Sequence, residues 1–419
     1  MNTVQLFLPC AAGVEDLLLA EVQRVLGGMQ SAKQRGGVVL HAGLDAFWPA
    51  VQRLNLHSRL AQRVLLRLSE TPYRNEKDLY RAAKEVPWEE WFTPRQSIKV
   101  EITAQHSPLQ SLNFAALTVK DAVCDRFRDT AGGVRPDVDT RWPDMRVFAH
   151  LTTDTCTLYL DTSGEPLFKR GWRSDTGDAP LKETLAAAML EACGWADRVR
   201  AGEALPLYDP CCGSGTIAIE AAQIVCGIAP GSQRRFAFEK MIQFESDEWN
   251  AIKTEAINAH QFTEIQVFGS DVAHRMVDFA GRNAERAGVA RALELRGGDA
   301  LQRMPPLAQP GIILLNPPYG ERIAVAGVAG IAAEAVPRFG ARELAEVDGG
   351  GEFFARLASH WKSHYAGWTA WMLTPDLKLP GKMRMKESRR VPMWNGPIEC
   401  RLFRFDITAR RAAAVSAPP

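Results

Sequence analysis

No run of 18 or more apolar residues escapes a charge or a turn signal, so no membrane-spanning helix is expected; IAVAGVAGIAAEAV near 323–336 comes closest. No basic region precedes the first apolar residues, and Glu15, Asp16 and Glu21 interrupt the apolar pattern, so MNTVQLFLPCAAGVEDLLLAEV reads as the start of a folded domain rather than a secretion signal. No C-x-x-C occurs. The eight cysteines, at 10, 124, 156, 193, 211, 212, 226 and 400, lie scattered apart from one adjacent pair, which predicts reduced thiols in a cytoplasmic protein without structural zinc. His360 and His364 are four apart but lack the glutamate of H-E-x-x-H, and no metal site is expected. An excess of charge is missing too. Lys and Arg number 50 against 49 Asp and Glu, so no whole-molecule field draws in nucleic acid or membrane, and any such partner must be held locally. G-x-G-x-x-G and G-x-x-x-x-G-K-[ST] are both absent, which argues against dinucleotide and ATP binding.

What remains is a globular chain of 419 residues, long enough for two or three domains. Residues 1–165 mix alternating strands (GGVVLHAG, SIKVEIT, TCTLYLDTSG) with amphipathic helices, the first carrying Val14, Leu17, Leu18, Val22 and Val25 on one stripe before Gly27 and Gly28. This half reads as an α+β binding region. GEPLFKRGWRSDTGDAP, at 164–180, suits a domain entry. From 166 to 410, helices and strands alternate (LKETLAAAMLEACGW, LPLYDP, GTIAIEAAQIVCG, EIQVFGSD, AHRMVDFAGRNAERAGV, LELRGGDA, GIILLNPPYGER), the mark of a doubly wound α/β domain on a parallel sheet. Residues 411–419 are expected to be a disordered tail, and the Ala/Gly-rich stretch 323–351 a lid or an insertion.

Chemistry concentrates at the predicted strand ends. DPCCGSGT (209–216) joins a strand to a helix through Gly213 and Gly215, which let a ligand approach bare backbone. Asp209 at this turn repels phosphate and attracts an ammonium or sulfonium group; S-adenosylmethionine carries both. Asp271 ends the next strand and suits ribose hydroxyls, and Asp299 ends the one after and suits an adenine amine. NPPYGER (316–322) comes after the buried run IILL. There the Asn316 side-chain oxygen and the Pro317 carbonyl can both accept from one NH₂ group, Pro318 stiffens the turn, and Tyr319 offers a face on which a base can stack. This pattern implies a reaction: attack of an exocyclic amine on a sulfonium methyl, accelerated mainly by positioning.

These motifs together resemble the THUMP-containing class I methyltransferases that modify RNA. LFLPCAAGVEDLLLAEV is similar to the family's N-terminal helix entry, LYLDTSGEPLFKRGWR to the close of its THUMP domain, APLKETLAAAML to the helix before the cofactor turn, and NGPIEC (395–400) to its C-terminal region. The resemblance implies a ferredoxin-like plus THUMP RNA-binding region followed by a Rossmann-like methyltransferase domain that uses S-adenosylmethionine. It places Asp209, Cys211, Gly213 and Gly215 at the cofactor turn, Asp271 at the ribose, Asp299 at the adenine and Asn316 through Tyr319 at the target amine, Asn316 counting among the cofactor-binding residues as well, with Thr184, beside Lys182 and Glu183, bordering the methionine end. Bacterial members acting on guanine N2 of 23S ribosomal RNA are the most similar. Some of those continue into a second methyltransferase domain where this chain stops, so one modification is expected. A tRNA guanine, an adenine N6 amine, or a non-catalytic RNA-binding role stay open as alternatives.

Candidate phosphate contacts are few. Lys382, Arg384, Lys386, Arg389 and Arg390 concentrate positive charge ahead of an Asn-Gly turn, and Lys169, Arg170 and Arg173 form a smaller group at the domain entry. Arg53, Arg59, Arg63 and Arg67 read equally as a phosphate-contacting stripe or a solvated face.

Overall fold

The computed structural model describes residues 3–177, 180–261, 266–317 and 351–408. In chain order the first elements are β1 (Thr3–Pro9), α1 (Glu15–Leu26), β2 (Ser31–Gln34), β3 (Gly37–Gly43), α2 (Leu44–His57), β4 (Leu65–Pro72), α3 (Glu76–Glu85), β5 (Ile98–Ala104), α4 (Leu112–Thr130), β6 (Met145–Leu151) and β7 (Thr155–Asp161). The later elements are α5 (Glu183–Ala192), α6 (Trp195–Arg200), β8 (Leu207–Asp209), α7 (Thr216–Val225), α8 (Ser246–Asn258), β9 (Val267–Asp271), α9 (His274–Arg286), β10 (Leu293–Gly297), β11 (Ile312–Leu315), α10 (Gly351–His364), β12 (Thr369–Thr374), α11 (Leu379–Met383), β13 (Arg389–Asn395) and β14 (Ile398–Asp406).

Two compact units form. The first comprises 1–10, 14–170 and 230–258, the second 11–13, 171–229 and 259–419. The division near 165 expected from the sequence thus falls between Arg170 and Gly171, and residues 230–258, expected within the second domain, fold with the first. The chemistry explains that placement. Arg234 donates to the carbonyls of Glu165, Pro166 and Lys169, Arg53 pairs with Glu255 at 2.7 Å, and Trp249 of α8 packs edge-on against Phe236 and Phe238.

One seven-stranded sheet, ordered β2-β3-β1-β4-β7-β6-β5, runs through the first unit, antiparallel except for the β5–β6 pair. Its helices end where their sequences dictate. Gly27 takes φ +62° to close α1 and returns its amide to Gln23, while the Asn75 side chain accepts from Lys77 and Asp78 to open α3. The arginine stripe divides: Arg63 pairs with the fully buried Asp161 and Arg59 is buried, whereas Arg67 pairs with Glu70 at 2.9 Å and Arg53 with Glu255 at 2.7 Å on the surface.

The second unit holds the other sheet, ordered β10-β9-β8-β11-β12-β14-β13. β10 through β12 are parallel as expected, but β14 runs antiparallel to β12 and β13 antiparallel to β14, so the sheet is mixed. All ten residues of α5 are buried where it packs against α7, which explains its Ala-rich run without a polar face. Tyr208, Ile313, Leu357, Trp361, Trp368 and Phe403 belong to one buried core cluster, so these tryptophans are packing groups rather than base-stacking platforms. The Ala/Gly-rich stretch 323–351, apart from Gly351 at the start of α10, and the tail beyond 408 lie outside the described residues.

Candidate active site

Sheet order brings the predicted residues into one row. β10, β9, β8 and β11 are neighbours, and their carboxyl ends carry Asp299, Asp271, Asp209 and Asn316 in that sequence. Strand order reverses beside β8, and the crevice outside such a reversal is where open α/β sheets bind ligands.

The glycine turn after β8 is built by constraint on one side and openness on the other. Gly215 has φ +88°, and a Cβ there would lie 2.9 Å from that of Ala280 on α9, so only glycine lets the turn seat on that helix. Gly213 has φ +53°, yet its Cβ would meet nothing nearer than Met276 Cε at 3.9 Å. That side stays open to a ligand.

Asp209 is 2% exposed and accepts the Cys211 amide at 3.0 Å. Burial, with the charge of Asp271 adding, pushes its carboxyl up to about 8. Asp271 accepts the amides of Gly213 and Ala273, each at 2.9 Å, and burial raises its pKa as well. Asp299 accepts the Leu301 amide at 2.9 Å and is half-buried. The charges of Asp209, Asp271 and Asp299 all raise the Cys211 thiol on top of its burial, so this thiol stays neutral. Thr184 is buried in the first turn of α5.

Asn316 comes directly after β11. Its Oδ1 is buried and has no hydrogen-bond donor among the described residues, a condition that destabilises the fold unless a ligand supplies one. Pro317 is buried beside it; Pro318 and Tyr319 lie outside the described residues. Among the described residues no group of three or more His, Cys, Asp or Glu is placed to hold a metal.

The basic candidates separate. Arg384, Lys386, Arg389 and Arg390 are exposed, on β13 and the segment leading into it, whereas Lys382 is half-buried and pairs with Asp376 at 2.8 Å. Lys169 is exposed and paired with Glu165. Arg170 corrects the expectation: it is 2% exposed, with its guanidinium donating to the carbonyls of Leu167 and Arg59, because the first unit's core needs those carbonyls satisfied. Arg173 departs from it too, being held in the second unit by the Glu183 carboxylate and the Thr216 hydroxyl, each at 2.7 Å. One contributor goes unnoticed in the sequence. Asn283 donates to the carbonyls of Ser214 and Asp175 and accepts from the amides of Ser174 and Asp175, pinning the domain entry to the glycine turn. Its signal is a lone amide on the buried stripe of α9, beside Ala280 and Ala284.

A glycine turn on a mainly parallel sheet, with acceptors on four adjacent strand ends, defines the class I methyltransferase fold. Comparisons with known proteins specify it further. Residues 5–65 match the RlmL ferredoxin-like domain, 73–161 the THUMP domain, and 170–331 the RMKL-like methyltransferase domain. The three models match in order along one chain, a ferredoxin-like domain, a THUMP domain and an RMKL-like methyltransferase domain. The chain is similar to the ribosomal RNA large subunit methyltransferases K/L of Psychromonas ingrahamii, 35% identical over 98% of this chain and 51% of that one, and of Syntrophotalea carbinolica, 35% identical over 99% and 55%. The chain thus spans about half the length of these relatives. Among solved structures, SMU.472 complexed with SAH superposes with a TM-score of 0.79 at 24% identity, over 99% of this chain and 100% of that one, a likeness of fold.

Proposed function

We propose that this chain transfers a methyl group from S-adenosylmethionine to the exocyclic N2 amine of a guanine in large-subunit ribosomal RNA, acting in the cytoplasm, where its eight free cysteines stay reduced. The observation that carries the reading is the buried, unpartnered Oδ1 of Asn316 at the end of the strand next to Asp209. An oxygen left without a donor at this position asks for an N–H group.

The residues present fit the donor. Asp271 and Asp299 retain lone pairs for ribose hydroxyls and an adenine amine, Gly213 leaves room for the backbone to be approached, and Asp209 offers its charge to a cationic centre. When bound, the donor supplies a methyl on positively charged sulfur with a neutral thioether as leaving group. Asn316 Oδ1 and the Pro317 carbonyl accept from the target NH₂, turning its lone pair out of conjugation and toward the methyl. No strong base is required, since the methylated ammonium loses its proton readily. An acceptor pair of this kind favours an exocyclic amine over a purine ring nitrogen such as N7, which has no hydrogen to donate.

The K/L relatives supply the RNA class, and the THUMP match and the exposed cluster at Arg384, Lys386, Arg389 and Arg390 support an RNA partner. Nucleoside mass spectrometry of ribosomal RNA from cells lacking the protein tests the reading. N2-methylguanosine should be missing, restored by the wild-type chain and not by Asn316→Ala. Loss of a methylated tRNA guanine or of N6-methyladenosine instead would reassign the substrate, and no loss would point to a non-catalytic role.

A further inference from the structure

We infer that Arg173 holds the α-carboxylate of the methyl donor, an assignment that rests on the donor proposed above. Three of its contacts fix the guanidinium: Nε donates to Glu183 Oε1 at 2.7 Å, and Nη2 donates to the Leu181 carbonyl at 3.1 Å and to Thr216 Oγ1 at 2.7 Å. The remaining nitrogen, Nη1, is buried and has no acceptor among the described residues. A buried guanidinium N–H without a partner is a larger penalty than a neutral one, so its persistence points to an acceptor that arrives with a ligand.

Place and charge agree on what that acceptor is. Thr216 is the first residue of α7 and directly succeeds the Gly213–Gly215 turn, so the unspent donor sits at the glycine turn of the site already described. Glu183 is the first residue of α5 and Leu181 lies two residues before it, and both helices begin here, each ten residues long and each presenting the positive end of its dipole. Asp271 and Asp299 offer acceptors to a ligand, and Asp209, once its proton is released, a negative charge; these suit ribose hydroxyls, an adenine amine and a cationic centre. The one anionic group of S-adenosylmethionine is its carboxylate, and a planar fork with one arm to spare is suited to it. The domain entry holds Arg173 in place: Asp175, two residues on, pairs with Arg282 at 2.8 Å and Arg286 at 2.6 Å, and Asn283 binds the backbone between them.

The test compares S-adenosylhomocysteine with its decarboxylated analogue on the full chain by calorimetry. The wild type should prefer the carboxylated ligand by about 10- to 100-fold, the worth of one charge-assisted hydrogen bond. Arg173→Gln should bind both ligands within about threefold of each other. Retention of the wild-type preference in this variant would overturn the assignment, and so would an equal loss of affinity for both ligands, the signature of a purely structural ion pair. Should Arg173→Gln fail to fold, Arg173→Lys keeps the charge without the fork and should show a reduced preference; an undiminished one overturns the inference. A wild type that binds neither ligand would remove the donor reading itself, whereas binding both equally would remove only the role of Arg173.

Discussion

Asp271 Oδ2 accepts the Gly213 amide at 2.9 Å, so the carboxylate that ends β9 also fixes the glycine turn after β8. Removing it injures two things at once. Asp271→Ala leaves the Gly213 and Ala273 amides without their acceptor and should destabilise the fold by about 1–3 kcal/mol in thermal or denaturant unfolding, while abolishing measurable binding of S-adenosylhomocysteine. Asp299→Ala, which releases the Leu301 amide, should likewise weaken binding.

Asp209 gives a pH signature. Its carboxyl titrates near 8 in the ligand-free fold, against an ordinary value of 3.8, so it is protonated at neutral pH until a cation arrives. Affinity for the sulfonium donor should therefore rise with pH up to about 8, with proton release on binding below that value. Stability runs the opposite way. The stabilisation from a raised pKa is full below the unfolded value and is lost as pH climbs through the folded one, so Asp209→Asn should raise the melting temperature of the ligand-free protein more at about pH 8.5 than at about pH 5. The same variant should bind the donor weakly and with a flat pH profile.

The two glycines of the turn should separate packing from binding. Gly215→Ala drives a Cβ to within 2.9 Å of Ala280 at φ +88° and should destabilise by about 1–3 kcal/mol. Gly213→Ala has space, bears only the strain of φ +53°, roughly 1 kcal/mol, and should reduce donor affinity out of proportion to its effect on unfolding.

If Asn316 serves the target amine as proposed, Asn316→Ala should lower kcat by about 100-fold or more while leaving donor affinity nearly unchanged. Its melting temperature should be unchanged or slightly higher, since a buried oxygen without a partner disappears.

Arg389→Ala with Arg390→Ala should weaken RNA binding with little change in fold stability, and should lower the slope of log affinity against log salt by roughly one for each phosphate no longer neutralised. Arg170→Ala should behave in reverse, unfolding the first unit before it alters RNA affinity, because that guanidinium is spent on buried carbonyls.

Much of this site is readable because strand ends announce themselves. An apolar run that stops at Asp or Asn before a turn fixes the residue at the sheet edge, and that logic finds Asp209, Asp271, Asp299 and Asn316 without knowledge of sheet order. Sheet order itself is not readable: the antiparallel return of β14 beside β12 depends on pairing between segments far apart in the chain. Nor is the fate of arginine. Arg170 and Arg173 stand three apart in a basic run, yet one closes the core of the first unit and the other braces the glycine turn of the second. Charge counting assigns both to phosphate contacts, because it cannot see which carbonyls or carboxylates the fold will leave wanting a donor. The membership of 230–258 is hidden for a related reason: Arg234, Phe236 and Trp249 find their partners only after the first sheet exists.

That excursion constrains how the molecule can be made. A nascent chain that has emerged through Arg170 already holds every strand of its first sheet, but lacks the helix and the Arg234 bridge that finish the surrounding body. Completion must wait until Asn258 leaves the ribosome, after β8 and α7 of the second body have already been synthesised. Assembly of the two bodies is therefore interleaved rather than sequential, and a protease or a cloning cut at the domain entry would orphan a piece of each.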